Sequence, residues 1–428
     1  MTVLILFGTL FLFIIMNIPI AISLGLSAIT TILLTTDMSL TVVAQRAFTS
    51  LDSFPLMAIP FFMLAGVLMG KGGVSKRLLN LASALVGYLV GGLAMVTVVA
   101  CMFFSAISGS GPATVAAIGS FMIPEMKRRN YGAGFASAIT AAAGSIGVII
   151  PPSIPFVLYG VVAGVSVGGM FLAGIIPGLI LGFSLMLVSY VISKKNNFVA
   201  AQEMVSFKDI CKAFWDAKWA LLIPVIIMGG IYGSVFSPTE AAVVAVVYAL
   251  LIGLFVYKEL NLKNMYQSFV EASIINGTTM IIIGLSISFS YLMTLEQIPS
   301  QIANYLTSIS DSPIIILLLI NIFLLVVGAF IDTISALVIL APILLPVVVS
   351  LGVDPIHFGV ILVTNLAIGF ITPPVGVNLF VASSISGTRI ETISRAVLPI
   401  LFMLIFSLLV ITFIPPLSTY LPNLFLGR

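Results

Sequence analysis

Apolar stretches long enough to cross a lipid bilayer recur along the whole chain and are separated by short polar breaks. A helix needs about 20 apolar residues to cross a hydrocarbon core of about 30 Å. Val3 to Ile15 and Ile314 to Val327 are nearly unbroken apolar runs, whereas the strands of a membrane barrel would alternate over about ten residues. The pattern therefore predicts an all-α polytopic membrane protein.

The polar breaks divide the sequence into about ten predicted crossings and two longer segments. The crossings are 2–16, 18–36, 54–70, 132–166, 170–193, 219–236, 241–257, 268–293, 356–386 and 397–414. The two longer segments, 91–126 and 313–350, are interrupted in the middle by small or polar residues. Both are predicted to be re-entrant hairpins, because irregular backbone at membrane depth is tolerated only inside protein or beside a water-filled cavity.

The two halves of the chain repeat one pattern. A shift of 222 residues superimposes prolines and glycines of the first half on those of the second: Pro124 on Pro346, Gly147 on Gly369, Pro151 on Pro373, Pro152 on Pro374 and Pro177 on Pro399. Each half then holds five crossings and one hairpin. Because five is odd, the second copy enters the membrane from the opposite side, which gives the inverted-topology repeat of many secondary transporters.

The repeat sets the predicted domains. The first repeat covers 1–193, with scaffold helices in 1–70 and a transport-domain hairpin and broken helix in 91–166. The second covers 219–428, with the equivalent parts in 219–293 and 313–386. Between them, 194–218 alternates Lys and Asp with aromatic residues, which predicts an amphipathic helix along the cytoplasmic interface. We expect a plain connector with snorkelling lysines there rather than a regulatory element.

Composition and charge agree with a membrane protein and orient it. Hydrophobic residues make up 61% of the 428 residues and charged residues 7%, against about 25% charged in a soluble chain. Fifteen of the 17 Lys and Arg residues fall on one predicted side, and only Arg46 and Arg428 on the other. Basic residues stay cytoplasmic, so both termini are expected in the periplasm. The first 36 residues lack a signal-peptide pattern and are predicted to be mature helix.

Candidate chemistry lies where helices are predicted to break, because broken helices leave backbone N–H and C=O groups unpaired at mid-membrane. The first hairpin turns within a run of hydroxyls and glycines from Ser105 to Thr114, and the second turns at Asp332. The other breaks are the tandem prolines at 151–152 and 373–374. Asp332 is the acid predicted to lie well inside the hydrocarbon region, where an ionisable side chain is costly and usually functional.

Hydroxyl, carboxylate and carbonyl oxygens suit hard cations, and Na⁺ is the usual coupling ion of such sites. The predicted ion-binding residues are Asp332, Ser108, Ser110, Thr372, Gly109, Pro373 and Gly376. The predicted substrate-binding residues are Ser153, Pro152, Thr333, Ser335 and Asn378. The alternative for Asp332 is a structural partner of hairpin amides, and for the hydroxyls a helix-packing surface. No cofactor is expected beyond the coupling ion.

Other signals are weaker. His357 follows Asp354 at a predicted helix start, which favours capping or solvation over a proton relay. The run from Gly164 to Gly168 matches G-x-S-x-G but lacks the strand-to-helix context and a nearby His, so a serine hydrolase is not favoured. The sequence has no HExxH, Walker A or CxxC motif and no basic cluster for nucleic acid. An intramembrane enzyme stays a remote alternative.

The order and spacing of five motifs resemble the large membrane subunit of tripartite ATP-independent periplasmic (TRAP) transporters, nearly end to end. The motifs are Pro60-Phe-Phe-Met-Leu-Ala-Gly66, Ser108-Gly-Ser-Gly111, Ile150-Pro-Pro-Ser-Ile154, Phe236-Ser-Pro-Thr-Glu240-Ala and Gly369-Phe-Ile-Thr-Pro-Pro-Val-Gly376. In family terms, Ser108, Ser110, Ser153, Asp332 and Thr372 match positions at the ion and substrate sites.

The resemblance implies an elevator-type transporter of the bacterial inner membrane, driven by a Na⁺ gradient. It implies two protein partners, a small four-helix membrane (Q) subunit and a soluble periplasmic substrate-binding (P) protein. The expected substrate is a small carboxylate, and the large subunit looks closest to the sialic-acid (N-acetylneuraminate) type. The alternative within transport is a stand-alone Na⁺- or H⁺-coupled organic anion symporter or exchanger of the same plan.

Overall fold

A computed structural model describes residues 2–36, 38–198, 206–302 and 312–427. Within these ranges the regular structure is helical throughout, with no strand. Eight helices of the described residues are long and apolar enough to cross a membrane. Every predicted crossing contains helix, so the predicted all-α polytopic fold is confirmed.

The scaffold of the first half begins with short helices and ends with one that the sequence did not predict. Its helices are Thr2–Ile15, Ile20–Thr35, Thr41–Leu51, a 3₁₀ turn Phe54–Met57 leading into Ala58–Lys71, and Val74–Val86. The last of these buries Leu78 and Ala82 and exposes Lys76 and Asn80. This period of three to four residues is that of a helix with one apolar face.

The scaffold of the second half has three longer helices. These are Phe207–Tyr232, Pro238–Leu251 followed by a π-helical turn Ile252–Val256, and Leu262–Leu295. The second starts at a capping box, in which Ser237 Oγ accepts from the backbone N–H of Glu240 and the Glu240 carboxylate accepts from that of Ser237.

The predicted interfacial connector, 194–218, is not a separate helix in the described residues. Lys194 and Lys195 end the preceding helix, Val167–Lys195, and residues 199–205 lie outside the described ranges. Phe207–Tyr232 is one continuous helix of 26 residues, so the boundary predicted at 218 was wrong. Residues 206–223 contain neither glycine nor proline, the residues that most often end a helix. The helix of the connector therefore runs on without interruption into the predicted crossing.

Two helical hairpins carry the predicted breaks. The first hairpin consists of Gly92–Ser108 and Gly111–Arg128, and the second of Pro313–Phe330 and Thr333–Ser350. We call the residues between the helices of each pair the first tip (109–110) and the second tip (331–332).

Two broken helices follow the hairpins in the chain. The first broken helix consists of Ala133–Ser145, with a 3₁₀ turn Ile146–Val148, and Ile154–Ala163; the second consists of Pro355–Gly369 and Val377–Ser386. Each is followed by a long helix, Val167–Lys195 or Ile390–Phe413, and the last described helix is Pro416–Leu426.

The repeat seen in the sequence is present in the helices. The same shift of 222 residues carries Gly111–Arg128 onto Thr333–Ser350, residue for residue. Both breaks contain a cis proline peptide bond, at 151–152 and at 373–374. The opposite orientation of the two halves, their re-entrant course and the position of the termini stay predictions.

The two halves pack against each other at the hairpins and broken helices. Gly111–Arg128 of the first hairpin contacts Val377–Ser386 of the second broken helix. Reciprocally, Thr333–Ser350 of the second hairpin contacts Ile154–Ala163 of the first broken helix. Scaffold helix Leu262–Leu295 packs on both Ala58–Lys71 and Thr333–Ser350. This crosswise packing brings the two tips to one cleft.

Candidate ion and substrate site

The first tip is a sharp turn closed by its own hydroxyl groups. Gly109 has φ of 60°, a left-handed conformation that glycine adopts without steric cost. Thr114 Oγ1 donates to the carbonyl of Ser110 at 2.8 Å and lies 2.8 Å from Ser108 Oγ. Because a hydroxyl has one proton, Ser108 is the donor of the second bond. Ser108 Oγ also accepts from the backbone N–H of Ser110 at 3.4 Å, which leaves one of its two lone pairs for a cation.

The first tip rests directly on the break in the first broken helix. The Gly109 carbonyl accepts from the backbone N–H of Ile154 at 3.3 Å, and a Cβ on Gly109 would lie 2.9 Å from the Pro152 carbonyl oxygen. Ser153 is fully buried, and its Oγ donates to the Val148 carbonyl at 2.5 Å and accepts from the N–H of Phe156. Ser153 thus caps Ile154–Ala163 and holds the break in place.

The second tip is closed by a carboxylate. Asp332 Oδ2 accepts from the backbone N–H groups of Ile334 and Ser335 at 3.0 and 3.1 Å, so Asp332 is the N-cap of Thr333–Ser350. Both bonds go to Oδ2, which leaves Oδ1 outside the cap. The hydroxyls of Thr333 and Ser335 are buried and have no hydrogen-bond partner among the described residues. Buried polar atoms without partners are rare, and each needs an explanation.

The break in the second broken helix is bonded to the second hairpin and to the first broken helix. Gly376, with φ of 55°, donates its N–H to the Ala329 carbonyl of the second hairpin at 3.4 Å. Asn378 donates from Nδ2 to the Ala141 carbonyl of the first broken helix at 3.1 Å, and its buried Oδ1 has no partner in the described chain. Thr372 Oγ1 donates to the Ile368 carbonyl one turn back in its own helix.

Both tips line one cavity of about 490 Å³, to which Gly109, Ser110, Asp332 and Thr333 all contribute. A second cavity of about 380 Å³ is lined by Ser108 and again by Ser110. Met63, Val67, Ala113, Ala116, Glu271 and Ile275 also line both cavities. We call the two together the cleft; it lies between the scaffold and the first hairpin and reaches the second tip.

The cleft contains some of the predicted site residues and not others. Its lining includes Ser108, Gly109, Ser110, Asp332 and Thr333. The other predicted residues do not line either cavity: Ser153, Pro152, Ser335, Thr372, Pro373, Gly376 and Asn378. In this structure Pro152, Ser153, Thr372, Pro373 and Gly376 lie in the two breaks. Ser335 lies in the first turn of Thr333–Ser350, and Asn378 lies at the start of Val377–Ser386. Their ion-binding and substrate-binding roles stay predictions.

The sequence reasoning missed an ion pair in the cleft. Lys71 Nζ lies 2.7 Å from Glu271 Oε2 and joins the two scaffold helices Ala58–Lys71 and Leu262–Leu295. Lys71 lines the smaller cavity and Glu271 lines both. One signal was available, because Glu271 lies inside the predicted crossing 268–293. Its position near the end of that crossing made it look like an interfacial residue.

The weaker sequence signals have structural explanations. Asp354 caps Pro355–Gly369 by accepting from the N–H groups of Ile356 and His357, as predicted. His357 is buried rather than solvated, and its ring bonds to Ser418 Oγ at 2.6 Å and to the Thr412 carbonyl at 3.1 Å. Ser166, the serine of the G-x-S-x-G match, caps Val167–Lys195 by accepting from the N–H of Gly169.

The solved structure of the Alcanivorax borkumensis YdaH transporter, described as having an unusual topology, is similar in fold. Its TM-score is 0.63 at 15% identity, over 92% of this chain and 90% of that one. Identity this low supports the likeness of fold alone.

The relatives that are named for a function are transporter permeases, not enzymes. The isethionate TRAP transporter permease protein DctMQ of Oleidesulfovibrio alaskensis is 51% identical over 97% of this chain, which spans 66% of that relative's length. The C4-dicarboxylate TRAP transporter large permease protein DctM of Pseudomonas aeruginosa is 45% identical over 94% of both chains. The sialic acid TRAP transporter large permease protein SiaM of Vibrio cholerae is 40% identical over 96% of both.

The family model for the DctM component of the tripartite ATP-independent periplasmic transporters matches residues 7–417. This range includes both hairpins, both broken helices and the scaffold helices between them. The resemblance drawn from the sequence motifs is therefore confirmed, and the chain belongs to the DctM component family of tripartite ATP-independent periplasmic transporters.

Proposed function

We propose that this chain imports a small organic anion across the bacterial inner membrane, driven by a Na⁺ gradient. The observation that carries the proposal is that Ser110 and Asp332, the N-caps of equivalent hairpin helices in the two halves, line the same cavity. Inverted repeats that meet at broken helices are the architecture of many secondary transporters. A cleft between such a unit and a scaffold supports alternating access of the elevator type.

The proposed cation site is made of oxygen atoms at the two tips. Asp332 supplies a carboxylate oxygen outside its capping bonds, Ser110 supplies a hydroxyl that lines the same cavity, and Ser108 supplies one that lines the adjoining cavity. Oxygen ligands are those that hard cations prefer. The Pro373 carbonyl and the Thr372 hydroxyl complete the proposed ion-binding set. Gly109 and Gly376 serve it through their left-handed backbone, because their carbonyls already accept backbone hydrogen bonds.

The proposed substrate is a short organic acid. Two relatives are named for isethionate and C4-dicarboxylates, at 51% and 45% identity, while the relative named for sialic acid is 40% identical. Sialic acid, the substrate expected from the sequence, is thus one of several substrates for which the relatives are named, and their identities do not favour it over the others. A two- to four-carbon carboxylate or sulfonate is our first candidate.

The proposed partners are a small Q subunit and a soluble periplasmic binding protein, which fits a family named for a tripartite periplasmic transporter. The outer faces of the scaffold support a membrane partner. Along Phe207–Tyr232 only four residues are buried, and Trp215 and Val225 are 66% and 62% exposed. Lipid or another membrane helix can cover such a face.

The test is uptake by proteoliposomes that contain this chain with its Q subunit and binding protein. The panel is isethionate, succinate and sialic acid, each with and without an inward Na⁺ gradient. We expect Na⁺-dependent accumulation of a short acid. Accumulation without Na⁺ would contradict the coupling, and failure to transport any organic acid would overturn the proposal. Uptake by this chain alone would favour the stand-alone symporter.

A further inference from the structure

The Lys71–Glu271 ion pair lies in the wall of the cleft. Its two side chains come from different scaffold helices and are 33% and 50% exposed. Lys71 lines the cavity that also contains Ser108 and Ser110. Glu271 lines that cavity and the adjoining one, which contains Asp332. The pair therefore borders the same space as both tips.

The charges that line the cleft are unbalanced for an anionic substrate. Among the described lining residues, Lys71 is the basic side chain, while Glu271 and Asp332 are acidic. An organic acid entering this space meets two carboxylates, and like charges at short range repel. A cation at Asp332 removes one of these repulsions. The other is weakened when the Lys71 ammonium turns from Glu271 to the acid and the Glu271 carboxylate turns to water.

The pair is suited to exchange partners. Ion pairs with this degree of exposure contribute little net stability, so a competing anion can open them. Lys71 ends helix Ala58–Lys71 with a flexible four-carbon side chain, and its ammonium carries three donors. Glu271 can turn to water when the lysine leaves, because half of its side chain is exposed.

We propose that Lys71 binds the carboxylate or sulfonate group of the transported acid in the cleft, and that Glu271 competes with the acid for Lys71. This inference rests on the proposed function and extends it. The scaffold side of the cleft then takes part in substrate recognition, and substrate release restores the ion pair.

The test compares the two single substitutions, because they have opposite expected effects. Lys71→Gln removes the anion-binding group, whereas Glu271→Gln removes its competitor. Uptake at subsaturating substrate should fall about tenfold in Lys71→Gln, the effect of one lost hydrogen bond to a charged group. It should rise in Glu271→Gln. Lys71→Arg keeps the positive charge and should retain most of the uptake.

A purely structural bridge gives a different result. If the pair only ties the scaffold helices together, both single variants break the same contact and uptake falls in both. That outcome, or unchanged uptake in Lys71→Gln, overturns the inference. Arg77→Gln is the matched control, because Arg77 and Glu259 form another scaffold ion pair at 2.7 Å and do not line the cleft. Its uptake should match wild type.

The assay separates this inference from the proposed function. Wild-type proteoliposomes with both partners are tested first on isethionate, succinate and sialic acid. If the wild type accumulates none of them, the proposed function fails. If the wild type accumulates one of them and uptake falls in both Lys71→Gln and Glu271→Gln, the proposed function stands and only the role of Lys71 in substrate binding fails.

Discussion

Ser110 and Asp332 are separated by 222 residues and occupy the same position, the N-cap of the second helix in each hairpin. They differ in what their side chains do. Asp332 accepts from two backbone amides, whereas Ser110 makes no side-chain capping bond. The repeat has therefore placed a hydroxyl on one side of the cleft and a carboxylate on the other.

The charge of Asp332 is predicted to be needed for coupling. Asp332→Asn keeps an oxygen that can cap the helix, so the fold should survive, but the cation loses its only charged ligand in the proposed set. We expect loss of Na⁺-driven uptake with a melting temperature close to that of wild type. Uptake and thermal unfolding of the purified complex measure the two effects.

Asp354→Asn is the matched control for that substitution. Asp354 also caps a helix through two backbone amides, at 2.8 and 3.1 Å, but does not line the cleft. Its variant should transport like wild type. Equal loss of uptake in both variants would mean that capping, not cation binding, explains the effect.

The buried hydroxyl of Ser335 is predicted to have a ligand during transport. Removing a buried hydroxyl that lacks a partner should be neutral or slightly stabilising for the fold. If the hydroxyl serves the ion or the substrate, Ser335→Ala should nevertheless raise the Na⁺ concentration for half-maximal uptake. Ser286→Ala provides the comparison, because Ser286 is equally buried in a scaffold helix and also has no hydrogen-bond partner among the described residues. Equal Na⁺ dependence in both variants would remove Ser335 from the site.

Gly109 is predicted to be required for the contact between the first tip and the first break. Gly109→Ala forces a Cβ to within 2.9 Å of the Pro152 carbonyl oxygen in addition to straining a left-handed residue. Gly164→Ala imposes the same backbone strain, at φ of 66°, with no atom within 4 Å. The strain costs about 1 kcal/mol in either variant. We expect uptake to be lost only in Gly109→Ala; wild-type uptake in this variant would show that the contact is dispensable.

The inverted orientation is testable at two repeat-equivalent ends. Arg128 and Ser350 are the last residues of the second helix in the first and second hairpins. After the exposed Cys211 is replaced, single cysteines at these positions should react with a membrane-impermeant thiol reagent from opposite sides, Arg128→Cys from the cytoplasm. Labelling of both from one side would contradict the inverted repeat.

Much of the fold could be predicted from the sequence because each helix break is determined by the residues at that position. Tandem prolines at 151–152 and 373–374 cannot continue a helix, and both positions are breaks in the structure. The Gly109 turn and the Asp332 cap are equally local. The continuous helix Phe207–Tyr232 was missed because hydropathy marks where a span is apolar, not where its helix begins.

The cleft was less predictable, since it depends on which side chains meet from distant segments. Lys71 and Glu271 are 200 residues apart in the chain, and each alone resembles an ordinary interfacial charge. Conversely, Ser153 lies in a conspicuous motif, but its hydroxyl is already hydrogen-bonded as the cap of Ile154–Ala163. A single sequence shows that a side-chain oxygen is present. It does not show whether that oxygen already forms a hydrogen bond with a neighbouring backbone group.

The bond from Asn378 to the Ala141 carbonyl also constrains biosynthesis, because its partners are 237 residues apart. Translation reaches Asn378 only near the end of the 428-residue chain. Until then the first broken helix lacks the neighbour that covers it, and the cleft lacks the part of its wall that Val377 and Val381 supply. The ribosome must therefore finish most of the polypeptide before a coordination sphere between the two tips can exist.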